Sequence, residues 1–189
     1  MPTITIPQTF IVSPAQFQEL AIANRDLRLE RTSTGELIVM PPTGTDTGER
    51  NQDISGQLWQ WNRRTKLGKV FDSSTGFTLP NGAQRSPDAS WVKLAKWEDL
   101  NPKEKEGFAP ICPDFVVELR SKSDSMLSLR AKMQEYMANG AGLGWLIDRK
   151  NYQVEIYRQG LEVEVLNHPI SLSGEDLLPS FSLDLTEVW

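Results

Sequence analysis

One segment limits the folds open to this chain more than any other. Pro113-Asp114-Phe115-Val116-Val117-Glu118-Leu119 is apolar almost throughout, the mark of a central strand buried on both faces. A helix is expected next, from about Ser125 to Asn139, with Met126, Leu129, Met133 and Tyr136–Met137 on its apolar face and Gly140 as its stop. Three strands should follow, over Leu143–Asp148, Gln153–Arg158 and Glu162–Leu166. With 189 residues the chain suffices for one domain around one sizeable core.

Upstream, residues 1–12 read as extended, and Ser13-Pro14 fits the cap and first turn of a helix running to about Asn24. Arg28–Arg31 and Glu36–Met40 flank a turn at Gly35 as a hairpin. A polar loop over Thr43–Gly48 leads into a helix of about 18 residues ending near Lys66, with Ile54, Leu58 and Trp61 as its core stripe. Lys69–Leu79 and Ser86–Leu94 read as strands joined through the Asn81-Gly82 turn. A charged insertion, Lys96–Gly107, precedes the central strand. Helix, three strands, helix and strand in this order give an α/β layered fold with a mixed central sheet flanked by helices, and the order matches the core of PD-(D/E)XK nucleases.

Composition narrows the chemistry. A single cysteine, Cys112, excludes an intrachain disulfide framework and a multi-thiolate zinc site, and reads as a small core residue. The only histidine, His168, lies in a turn-like stretch, and no GxSxG nucleophile elbow accompanies it; a small-molecule hydrolase is therefore a weak third reading. The net charge of −5 argues against a generally nucleic-acid-binding surface but leaves room for a local basic cleft. No run approaches the roughly 20 apolar residues of a membrane span, and no signal peptide is recognisable at the start, so a cytoplasmic location without a membrane partner is expected. The six tryptophans are read as packing residues before base-stacking platforms.

Glu118 is the physical anomaly. Strand alternation places it on one face with Asp114, Val116 and Arg120. A carboxylate so buried must be paired, protonated or bound to a cation; Arg120 or Lys122 could provide an idle ion pair. Asp88, in Ser86-Pro87-Asp88-Ala89-Ser90, opens a strand after a hairpin. Either acid alone has an ordinary explanation, but two neighbouring strands that each present one carboxylate can converge on a single Mg²⁺.

The segments Arg85–Ala89, Pro113–Ser121, Lys132-Met133-Gln134-Glu135-Tyr136 with Gly140, and Gly144–Asp148 together resemble the Uma2 family. This is a bacterial family of putative restriction endonucleases, abundant in cyanobacteria and formerly a domain of unknown function. The likeness extends from about residue 15 to about residue 185, and the order and spacing of the motifs carry it. It implies a PD-(D/E)XK, restriction-endonuclease-like core over about residues 46–160 within one domain. The N-terminal helix and hairpin (13–40) and a C-terminal extension (161–189) then add extra strands.

The resemblance further implies Mg²⁺, with Mn²⁺ as substitute, hydrolysis of nucleic-acid phosphodiesters with DNA as the expected substrate, and a homodimer. Asp88 and Glu118 take the places of the metal-binding acids, joined by the backbone carbonyl of Leu119. The position of the superfamily's lysine is Arg120 here, and an arginine stays protonated. The family pattern carries the lysine on the next helix instead, at Lys132, beside that helix's apolar stripe, with Lys122 a second candidate by strand parity. Arg120 and Lys122 become candidates for holding substrate phosphate, and Glu49, at the start of the long helix, for a further metal-facing acid. The competing reading is a nuclease-like fold that binds nucleic acid or protein without cleaving.

Overall fold

The computed structural model describes residues 10–122 and 124–189; the expected extended segment over residues 1–12 lies mostly outside them. Helix α1 (Pro14–Ala23) is capped as anticipated, the Ser13 hydroxyl accepting from the Gln16 N–H and the Gln16 side chain accepting from the Ser13 N–H. Strands β1 (Arg28–Arg31) and β2 (Leu37–Met40) form the expected hairpin. Helix α2 (Thr45–Thr65) starts earlier than its sequence suggested and absorbs most of the polar loop. Asp46, rather than Glu49, is therefore the acid of its first turn.

The anticipated strand over 69–79 is broken into β3 (Gly68–Asp72) and β4 (Phe77–Thr78). The side chain of Asp72 accepts from the Ser74 N–H, a turn that ends the first piece. After the turn containing Gly82, whose φ of 85° favours glycine, come β5 (Gln84–Arg85) and β6 (Ala89–Lys93). The charged insertion folds into two short helices, α3 (Leu94–Glu98) and α4 (Pro102–Glu106). Then follow β7 (Phe115–Leu119), α5 (Met126–Ala138), β8 (Leu143–Asp148), β9 (Gln153–Arg158) and β10 (Glu164–Asn167), close to their expected spans. The C-terminal residues add β11 (Ser171–Ser173) and β12 (Ser182–Asp184).

The main sheet has the order β10-β9-β8-β7-β6-β3, mixed as expected: β7 and β8 run parallel and the other pairs antiparallel. A second sheet, β2-β1-β5-β4, places the N-terminal hairpin beside the segment that leads into β6. Every residue of β7 is buried, as its composition required. Phe115, Val117 and Leu119 pack with Ile54, Leu58 and Trp61 of α2 and with Leu172, Phe181 and Leu183 of the C-terminal hairpin. Val116, on the opposite face, packs with Met133 and Tyr136 of α5 and with Cys112. The three-layer order is what brings one strand face, one helix and the N-terminal hairpin together at the carboxyl end of β7. Trp61, Trp91 and Trp145 are core residues, whereas Trp59 is about half exposed. No helix among the described residues is long and apolar enough to cross a membrane.

Candidate metal and phosphodiester site

Glu118 lies on the α5 side of β7, because alternation puts it with Val116 and away from Val117 and Leu119. Its Oε1 accepts from Lys132 Nζ at 2.8 Å and from the Tyr136 hydroxyl at 3.1 Å. Its Oε2 has no hydrogen-bond partner among the described residues. Burial pushes its carboxyl up to about 7; the Lys132 ammonium pulls it down, while Asp88 and Glu30 push it further up. The ion-pair partner is thus Lys132, and neither Arg120 nor Lys122.

Register places the second acid. Ala89 pairs with Val117 and Ser90 with Val116 across the antiparallel β6–β7 pair, so one step back along the chain brings Asp88 opposite Glu118. Asp88 Oδ2 accepts the Leu119 N–H at 2.9 Å, and Oδ1 accepts from Asn51 Nδ2 at 3.1 Å, with an Arg28 guanidinium nitrogen 4.0 Å away. Desolvation outweighs these donors, and its carboxyl is raised above the usual range.

Lys132 comes from the middle of α5, one turn before Tyr136, and its side chain is 13% exposed. Its Nζ sits 2.8 Å from Glu118 Oε1 and 2.8 Å from Glu30 Oε1. Burial opposes its charge, yet the two carboxylates together hold it above the ordinary lysine range. It is therefore a fixed ammonium and not a proton acceptor. Glu30, on β1, escaped the sequence reading. The signal available was Arg28 and Glu30 alternating with Leu29 on a short strand, which points two charges to one face.

The other candidates are placed differently. Leu119 lines the same cleft, with its N–H committed to Asp88. Arg120 also lines it, but its Nη1 reaches both carboxylate oxygens of Asp148, at 3.0 and 2.8 Å. Lys122 is an exposed residue of the cleft wall. Glu49 is not brought to the acids: its side chain is 62% exposed, pairs with Arg50 and lines a separate surface depression. The inward residue of that helix is Asn51, two positions and about 200° further round. The signal for it was present, since Asn51, Ile54, Leu58 and Trp61 form one stripe spaced three, four and three.

These groups form the floor of a cleft of about 880 Å³. Arg28, Lys122, Arg149 and Lys150 contribute to its walls. Among the described residues no cluster of three or more Asp, Glu, His or Cys could enclose an ion without help. The donors fit Mg²⁺ nonetheless, because that ion keeps several waters and binds through one or two carboxylates plus substrate oxygens. The carboxamide oxygen of Asn51 is buried without a partner beside Asp88, an oxygen acceptor of the kind a hard cation or its water shell would satisfy.

Comparison with known proteins supports the same direction. No curated protein matches the chain. Among solved structures, the fold is similar to the crystal structure of a putative nuclease belonging to DUF820 from Anabaena variabilis ATCC 29413, with a TM-score of 0.77 and 20% sequence identity. That likeness covers 94% of this chain and 97% of the other, and it establishes the fold. Residues 14–186 match the Uma2 family, described as a putative restriction endonuclease, and with that match across most of its length the chain belongs to Uma2.

Proposed function

We propose that the protein is a Mg²⁺-dependent endonuclease that hydrolyses phosphodiester bonds in DNA. The observation that carries this reading is the convergence of Asp88, Glu118 and the Lys132 ammonium on the floor of one cation-walled cleft. Asp88 and Glu118, with the Leu119 carbonyl and the orphaned Asn51 oxygen as further donors, would hold the ion. Mg²⁺ bound there supplies polarisation of the phosphate and a lower pKa for a coordinated water. Lys132, already charged, neutralises negative charge developing on the phosphate oxygens and orients the water by hydrogen bonding. Lys122, with Arg28 and Lys150, which line the same cleft, would hold neighbouring phosphates of the strand.

The alternative is a module that binds nucleic acid or protein without turnover. Arg120, standing where the superfamily carries lysine and engaged with Asp148, is the observation in its favour; the ammonium of Lys132 against Glu118 weighs more heavily. A supercoiled plasmid incubated with Mg²⁺ or Mn²⁺ tests the choice. Nicking by the wild type that is lost in Asp88→Ala is expected; metal-independent binding without nicking in either protein selects the alternative. The reading includes a cytoplasmic homodimer, for which light scattering after size exclusion gives the mass.

A further inference from the structure

We propose that Glu30 is a positioning residue that fixes the Lys132 ammonium over Glu118, so that the N-terminal hairpin completes a site whose other acids lie in the nuclease-like core. The inference rests on the endonuclease reading for its catalytic consequence but on geometry alone for the clamp.

The two carboxylates that share Lys132 are not equivalent. Glu30 accepts from Lys132 and from the Ser86 N–H on Oε1, at 2.8 and 2.9 Å, and from Arg85 on Oε2 at 3.1 Å. Both of its oxygens are occupied by protein donors, its side chain is 3% exposed, and it does not line the cleft. Glu118 faces the cleft and concentrates its protein donors on one oxygen. With three protein donors on it and no exposure to the cleft, Glu30 stands behind the lysine as its counter-charge.

The support behind Glu30 is itself braced. Arg85 donates from Nε to Glu135 at 2.6 Å, and Glu135 accepts from Asn81 at 3.0 Å. Because Glu135 lies three residues after Lys132 on α5, the same helix that carries the amine also anchors the arginine holding Glu30. The loop closes on itself, and its geometry does not depend on Glu118. When Glu118 engages a cation, Lys132 therefore has a second carboxylate that keeps it charged and in place.

Glu30→Gln tests the clamp, because the amide retains an acceptor for Ser86 and removes the charge. The wild-type protein with ¹⁵N-labelled lysine should give a protected Lys132 ammonium signal, assigned by its absence in Lys132→Met. In Glu30→Gln that signal should shift or broaden beyond detection while the backbone spectrum persists. Nicking should fall about 10- to 100-fold in kcat with KM nearly unchanged, the size typical of losing a group that orients a site residue. Glu30→Asp, which keeps the charge but shortens the reach, serves if the glutamine variant does not fold, with the same expectations. An unaltered ammonium signal overturns the clamp, and an altered signal with unaltered kcat overturns the positioning role. If wild type does not nick at all, the endonuclease reading fails, and the ammonium signal still decides whether Glu30 holds Lys132.

Discussion

Replacing Glu118 by glutamine should stabilise the metal-free protein at alkaline pH and leave it nearly unchanged under mildly acidic conditions. Glu118 titrates near 7 in the folded chain against 4.5 unfolded, so the native state retains a proton that the unfolded state has released between those values. Stability from this group is full below about 4.5 and is lost as the pH rises through 7, which is worth about 3 kcal/mol above both values. Glutamine is isosteric with the protonated acid and keeps an acceptor for Tyr136 and Lys132, so it should escape that loss. For a domain of this size about 3 kcal/mol corresponds to about 6–12 °C in Tm. Thermal melts of both proteins at pH 5 and pH 8, in chelator and then with excess Mg²⁺, provide the assay. At a hundredfold excess over its dissociation constant the metal should add about 2.7 kcal/mol to the wild type and little to the variant. A Glu118→Gln protein destabilised equally at both pH values would show that the ionised carboxylate is a net structural asset, and the reasoning from desolvation would fail.

Three further outcomes are expected. Asp88→Asn should abolish the Mg²⁺-dependent rise in Tm while costing little stability, since the amide can still accept the Leu119 N–H; a retained metal response would remove Asp88 from the ion. Arg120→Ala should act on stability first, by about 3–5 kcal/mol in denaturant unfolding, because it leaves the buried carboxylate of Asp148 without its arginine; an unchanged unfolding midpoint with weakened DNA binding would restore it as a phosphate contact. Gly68→Ala should cost about 1–3 kcal/mol, because its Cβ would overlap the Val92 carbonyl oxygen and the Trp91 ring; an unshifted Tm would show that β3 yields easily there.

Much of the architecture was legible because local pattern and tertiary role agree. The β7 run could only be a central strand, and the Met126–Met137 stripe could only face a core. The acid pair was legible for a related reason: a carboxylate inside an apolar strand has few tolerable environments. What stayed hidden depends on where chain segments meet. Glu30 does not stand out in the hairpin sequence, because nothing local reveals that β1 pairs with β5 and is thereby carried to the end of β7. Glu49 stands out in the sequence and Asn51 does not, because the helix start legible there is later than the Thr45 start of α2. Arg120 reads as facing substrate because the parallel register that sets Leu119 beside Ile147, and so Arg120 beside Asp148, is not visible in the sequence.

The charge balance of the floor explains why Glu118 is the group left undecided. Glu30, Asp88, Glu118 and Glu135 face Arg28, Arg85 and Lys132, so full ionisation leaves a single excess negative charge in a desolvated space. Glu30 is held below the usual carboxylate range by burial-opposing contacts from Lys132 and Arg85, and Lys132 is held above its own; neither can absorb the excess. The proton therefore falls to the acids that face the cleft, Glu118 foremost. A divalent cation displaces that requirement and turns the excess into one positive charge, which a phosphodiester entering the cleft would neutralise. On this account the resting site discourages both full ionisation and metal without substrate. Metal and DNA should then bind with mutual enhancement, each tightening the other by the same factor, and titrating Mg²⁺ into the protein with and without a short duplex measures that factor directly. Equal metal affinity in both titrations would mean that the acid excess is dissipated by solvent and does not couple the two ligands.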